Sequence, residues 1–264
     1  MPHSLASQNS DPSRNPAARS PKDRLIVALD VPTAAQAREL ARQLGGICRW
    51  VKVGLELYLV AGAAIVEELA SQGLSVFLDL KFHDIPNTVA GAVRSAASMG
   101  ASLLTVHAAG GPAMLAAAAE AAAEAAASSA NSPRLLAVTV LTSMDAAQLA
   151  AIGVDASPAD QVLRLARMAQ NSGIDGLVCS AEEIRLLRQE LGPAMQLVIP
   201  GIRPAGSEVG DQKRISTPAD AIRAGANALV VGRPITKASN PAQAAEAILK
   251  EIASAVDETR RSVG

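Results

Sequence analysis

The sequence predicts a single-domain α/β protein folded as a (β/α)8 barrel, and three observations carry that expectation. From Arg24 onward, short apolar β-branched runs alternate with longer amphipathic stretches, the pattern of parallel strands joined by helices. Eight such runs occur, enough to close a barrel. The 264 residues fit the roughly 250 typical of that fold, and no Gly/Ser-rich or Pro-rich seam divides the chain after Pro21. An open doubly wound sheet made from the same units is the alternative.

In order, the runs are Leu25–Leu29, Trp50–Val53, Ser75–Leu80, Ser102–Val106, Leu135–Leu141, Gly176–Cys179, Gln196–Ile199 and Ala228–Val231. Most are apolar at successive positions, as strands covered on both faces must be. Helix starts fall between them. Thr33 precedes an Ala/Gln/Arg/Glu/Leu stretch, Ser180 has capping-box spacing to Glu183, and Thr217-Pro218 pairs a cap with a first-turn proline. Ala113–Ala127 is almost all Ala and Glu, a composition of high helix propensity, and reads as a surface helix. Residues 1–21 lack hydrophobic periodicity and an apolar signal core, so they read as a disordered tail ahead of a barrel domain at 22–264.

Lys+Arg of 24 against Asp+Glu of 25 leaves a net charge of -1. Nothing in that balance favours a nucleic acid or an anionic membrane as partner, and any anion site must be local. No apolar run approaches the roughly 20 residues of a membrane helix, so a soluble protein is expected. Cys48 and Cys179 match no metal or redox spacing and read as small core residues of a reducing compartment.

In a barrel all strand C-terminal ends meet at one face, where chemistry resides. Asp30 ends the first run, Lys52 lies in the second, and Asp79 and Lys81 end the third. Period-two alternation puts Asp79 and Lys81 on one side, and Asp84 follows just before Pro86. If Lys52 faces the same mouth, Lys52, Asp79, Lys81 and Asp84 form an alternating charge set, which is either a catalytic array or a structural ion-pair network. Thr142 and Ser143, after the fifth run, either bond a ring carbonyl or amide or cap the helix ahead of Asp145. Beyond the seventh run, Pro200-Gly201-Ile202-Arg203-Pro204 leads into a long loop with Gly206, Ser207, Gly210, Asp211, Gln212, Lys213 and Arg214, the form of a lid or binding loop. Gly232-Arg233 after the eighth run suits a phosphate, since glycine opens the backbone and arginine offers paired donors, though a plain Gly-Pro turn would look the same. His83 and His107 read as hydrogen-bonded structural residues.

Asp79-Leu80-Lys81-Phe82-His83-Asp84-Ile85-Pro86-Asn87-Thr88 resembles the signature of the orotidine 5'-phosphate decarboxylase family. Ala28-Leu29-Asp30, Lys52-Val53-Gly54, Leu141-Thr142-Ser143, Pro200-Gly201-Ile202-Arg203 and Val231-Gly232-Arg233-Pro234-Ile235 each resemble a family motif, in the family's order, from about Arg24 to the last helix. The resemblance implies cofactor-free, metal-free conversion of orotidine 5'-monophosphate to UMP in the cytoplasm, within pyrimidine biosynthesis. It implies Lys81 as proton donor to ring carbon 6, Asp79 against the departing carboxylate, and Lys52 and Asp84 completing the catalytic array. Asp30 and Lys52 would hold the ribose, and Thr142 and Ser143 the pyrimidine. Pro200, Arg203, Gln212, Gly232 and Arg233 would lie toward the phosphate. Asp84 and Thr88, with Ile85 between them, would contact substrate across a homodimer interface. Two rivals remain: a metal-dependent sugar-phosphate decarboxylase or aldolase of the same barrel superfamily, and a non-catalytic nucleotide-binding pseudo-enzyme. The first places a metal-binding Glu where this chain has Lys52.

Overall fold

The structure, a computed structural model, describes residues 20–128, 133–204 and 216–263. It is a closed TIM barrel of eight parallel strands in sequential order, β1-β2-β3-β4-β5-β6-β7-β8, with β8 pairing back onto β1. All eight expected runs are strands. They are β1 Leu25–Ala28, β2 Trp50–Gly54, β3 Ser75–Phe82, β4 Ala101–His107, β5 Arg134–Val138, β6 Gly176–Val178, β7 Gln196–Ile199 and β8 Ala228–Val231. β5 stops three residues before Leu141 because its partner runs out: the last register pair is Val138 with Val178. Leu141, Thr142 and Ser143 therefore lie in the following loop, not at a strand end.

The connecting helices are α1 Ala34–Leu44, α2 Leu55–Ser71, α3 Pro86–Ser98, α4 Gly111–Ser128, α5 Ala146–Ala151, α6 Pro158–Asn171, α7 Ile184–Leu191, α8 Pro218–Ala224, α9 Arg233–Thr236 and α10 Pro241–Val263. The caps follow the sequence. Thr33 accepts from the Gln36 N–H and Thr217 from the Asp220 N–H, while the Ser180 N–H donates to Glu183 at 2.8 Å. Asp145, with Gln148 completing a capping box, opens α5. The alanine-rich α4 buries Met114, Leu115, Ala118, Ala121 and Ala122, so one face of this surface helix packs inward.

Two apolar layers result from period-two alternation. Inward residues such as Ile26, Trp50, Phe77, Leu103, Leu136 and Val198 fill the barrel, and outward ones such as Val27, Val51, Val76 and Leu104 meet the helices. The expected tail included Ser20 and Pro21, which are described here. Pro21–Asp23 is a 3-10 turn, closed by the Ser20 N–H on Asp23 Oδ2 at 3.1 Å, and residues 1–19 lie outside the described part. Both cysteines are buried, and burial pushes the Cys48 thiol up to about 11, which keeps it protonated and unreactive.

Candidate active site

The alternation that fills the barrel also builds the site. Inward positions run Ile26, Ala28, Asp30 on and just after β1; Trp50, Lys52 on β2; and Phe77, Asp79 on β3. Each series begins apolar in the barrel and ends ionisable at the C-terminal mouth. There Lys52 Nζ lies 2.8 Å from Asp30 Oδ1 and 3.5 Å from Asp79 Oδ2, and Lys81 Nζ lies 2.8 Å from Asp79 Oδ1. The charges thus alternate Asp30, Lys52, Asp79, Lys81. Room for this row depends on Gly54, where a Cβ would come within 2.9 Å of Lys52 Nζ and 3.0 Å of Asp30 Oδ1.

Asp79 and Lys81 share one space, as expected, but regular alternation is not the reason. Leu78 pairs with Leu104 and Phe82 with Val106, so Asp79, Leu80 and Lys81 together face the single residue Thr105. Lys81 takes φ 53°, the only left-handed non-glycine among the described residues. A side chain in that region costs roughly 1–2 kcal/mol, strain of the kind that gathers at functional sites. The Lys81 N–H donates to Thr105 Oγ1 at 2.9 Å.

Burial by itself would push the Asp79 carboxyl up. Lys52, then Lys81, and hydrogen bonds from Lys81 and Thr105 more than offset it, so the group lies below its ordinary value and is held ionised. Such a row suits a desolvated setting because each charge has an opposite neighbour.

The mouth opens into a cavity of about 520 Å³. Among the described residues five cations line it, Lys52, Lys81, Arg203, Arg233 and Lys237, against two carboxylates, Asp30 and Asp79, in a chain whose net charge is -1. The cavity is therefore a local anion trap. Arg203 is buried and donates to its neighbour's carbonyl, Ile202 O, at 2.9 Å. Burial, and then the positive charge of Arg233, lower its affinity for its own proton. Gly201, at φ 75°, makes the turn that brings Arg203 into the cavity wall.

Of the expected site residues, Asp30, Lys52, Asp79, Lys81, Thr142, Pro200, Arg203, Gly232 and Arg233 line this cavity. Asp84, Ile85 and Thr88 do not. They are exposed in the β3–α3 loop and the first turn of α3, with Asp84 Oδ1 accepting from the Ile85 N–H at 2.6 Å. The charge set within one chain is thus closed by Asp30, not by Asp84, because Pro86 starts α3 at once and carries Asp84 away from the mouth. Ser143 is exposed and outside the cavity. Gln212 and the other residues of 205–215 lie outside the described residues.

Sequence reading missed Thr105, Lys237, the space that Gly54 leaves, and the apolar wall of Val138, Val140, Val178 and Val230. Alternation on β4 was the available signal for Thr105, since Leu103 faces inward and Thr105 is two residues further on. The His83 and His107 rings lie with centroids 5.4 Å apart, tilted by 33°, outside the cavity lining. Burial, then His83 and Lys81, lower the His107 pKa and favour the neutral imidazole.

Comparison with known proteins agrees with this geometry. Residues 23–248 match the model of the "Orotidine 5'-phosphate decarboxylase / HUMPS family". The chain is 55% identical over 233 residues to an orotidine 5'-phosphate decarboxylase of Halorhodospira halophila, covering 88% of this chain and 97% of that one. It is 50% identical over 231 residues to one of Aliivibrio fischeri, with the same coverage. A crystal structure of the Lactobacillus acidophilus orotidine 5'-phosphate decarboxylase superposes with a TM-score of 0.78 at 42% identity, covering 87% of this chain and 99% of that one.

Proposed function

The chain belongs to the orotidine 5'-phosphate decarboxylase / HUMPS family, and from that premise we propose that it converts orotidine 5'-monophosphate to UMP and carbon dioxide without a cofactor, Lys81 protonating ring carbon 6. One observation carries the reading: the row Asp30, Lys52, Asp79, Lys81 stands in a cavity that also holds Arg203 and Arg233. Loss of the carboxylate leaves a carbanion in the ring plane, where the π system cannot delocalise it. Stabilisation must then come from fixed charge in a site that excludes water. The Lys81 ammonium, held on Asp79, is such a charge and also carries the proton that ends the reaction.

The other roles are those the family resemblance implies, and charge and position are compatible with them. Asp79 faces the scissile carboxylate, Asp30 and Lys52 take the ribose hydroxyls, and Thr142 meets the pyrimidine. Arg203 and Arg233, with the backbone at Gly232, take the phosphate. Among the described residues the lining carries more cations than carboxylates, which suits a substrate that carries a phosphate and a carboxylate. Phosphate binding remote from carbon 6 contributes energy to the chemical step, so its grip affects turnover as well as affinity.

The metal-dependent members of the wider family are the second reading. Lys52 Nζ occupies the space between Asp30 and Asp79 that a divalent cation would need, and its charge repels one. A fall in ultraviolet absorbance on adding orotidine 5'-monophosphate, unchanged by EDTA, is the expected result. No change in absorbance would leave a nucleotide-binding pseudo-enzyme, and activity lost with EDTA would favour the metal-dependent reading.

The active form is proposed to be a homodimer that brings Asp84 and Thr88 to the partner's site. Leu55, Leu59 and Val60 at the start of α2 are exposed, Leu59 at 81%, and Ile85 at 67% follows the neighbouring strand. These apolar side chains share the barrel face that carries the charge row, as an interface completing the site would require. Leu59→Asp is expected to sediment as a monomer with little activity. A fully active monomer would remove the partner's Asp84 from the chemistry.

A further inference from the structure

We propose that Thr105 is the positioning residue for the proton donor, one hydroxyl fixing both the backbone of Lys81 and the carboxylate of Asp79. The inference rests on the reading of Lys81 given above. Thr105 sits in β4 with no exposed surface. Its Oγ1 accepts from the Lys81 N–H at 2.9 Å and its O–H donates to Asp79 Oδ1 at 3.0 Å. The same Oδ1 receives Lys81 Nζ at 2.8 Å. Backbone and side chain of Lys81 are therefore tied to one oxygen of Asp79, the backbone through Thr105 and the ammonium directly.

The register explains why a side chain is needed. Between the pairs Leu78–Leu104 and Phe82–Val106, three residues of β3 face one of β4. An extra-residue bulge of this kind interrupts the ladder and leaves a backbone group to be satisfied otherwise. Here the group is the N–H of Lys81, the residue in the left-handed conformation. A hydroxyl both donates and accepts, so it can take that N–H and give its own proton to a carboxylate that must stay ionised. The β-branched side chain has few rotamers on a strand, which fixes the oxygen in place. Valine keeps the shape and can do neither.

Thr105→Val should lower kcat by about 10- to 100-fold, the scale of a misplaced reacting group, with KM for orotidine 5'-monophosphate and UMP affinity within about threefold of wild type, because the phosphate contacts are untouched. Thr105→Ser, which restores the hydroxyl, should recover most of the rate. An unchanged kcat in Thr105→Val would overturn the proposal, as would equal losses in the valine and serine variants, which would mark a packing role. If Thr105→Val does not fold, Thr105→Cys, a weak donor of similar volume, takes its place in the comparison. A crystal structure of the valine variant separates this inference from the functional reading. Lys81 leaving its left-handed conformation or its contact with Asp79 supports it even if the wild type proves inactive on this substrate, and an unmoved Lys81 refutes it.

Discussion

Lys81→Ala is expected to lower kcat by about 10⁴-fold or more while binding UMP within about tenfold of wild type. A positioned general acid contributes about 10²- to 10⁴-fold and a preorganised charge about 10²- to 10³-fold, and on the proposed mechanism both reside in this one ammonium. UMP has no carboxylate at carbon 6, and its phosphate would meet Arg203 and Arg233, which the substitution leaves in place. Asp79 keeps Lys52 at 3.5 Å and the Thr105 hydroxyl at 3.0 Å, so the variant should fold. Single-turnover absorbance for the chemical step, and calorimetry for UMP, would separate the two quantities. Wild-type-like turnover would end the assignment of Lys81.

Lys52→Met is expected to cost about 3 kcal/mol of stability at neutral pH as well as most activity. Lys52 is buried and lies between two carboxylates, and breaking a buried pair leaves an uncompensated charge, at about 3–5 kcal/mol. The lower end applies because Lys81 remains on Asp79. The pH dependence has a definite sign. Since the Asp79 carboxyl is lowered from 3.8 in the fold, the stability it supplies is complete above 3.8 and is lost as pH falls through the lower folded value. Lys52→Met removes the first-named of the attractions that lower it. The deficit should therefore be largest at pH 7 and shrink toward about pH 3, as urea unfolding at both values would reveal. A deficit independent of pH would place the role of Lys52 in packing.

Much of the site was legible because it follows from one rule. Asp30, Lys52 and Asp79 occupy inward positions whose preceding members are Ala28, Trp50 and Phe77, so eight apolar runs and a period of two place them at the mouth. Arg233 was legible through Gly232 beside it, whereas Arg203 was singled out by the family resemblance; both line the cavity. Alternation marks Thr105 only as an inward position of β4, and its bonds to Lys81 and Asp79 depend on the register with β3. Asp84 was assigned to the array by its nearness in sequence to Lys81, and within one chain the helix start at Pro86 takes it elsewhere. Leu141 was read as a strand end because β-branched and apolar residues continue past Val138, whereas the length of β5 is set by the shorter β6.

The eight strands, the capped helices and the side chains that each regular strand turns inward were readable from the chain alone, since alternation is a property of a single strand. The pairing of β8 with β1 chose the closed barrel over the open sheet. The tertiary structure decided the three-to-one register between β3 and β4, the left-handed Lys81 and the Thr105 hydroxyl that meets it. Register is a relation between strands, set by pairing and packing over residues distant in the chain, and no local pattern in either strand encodes it.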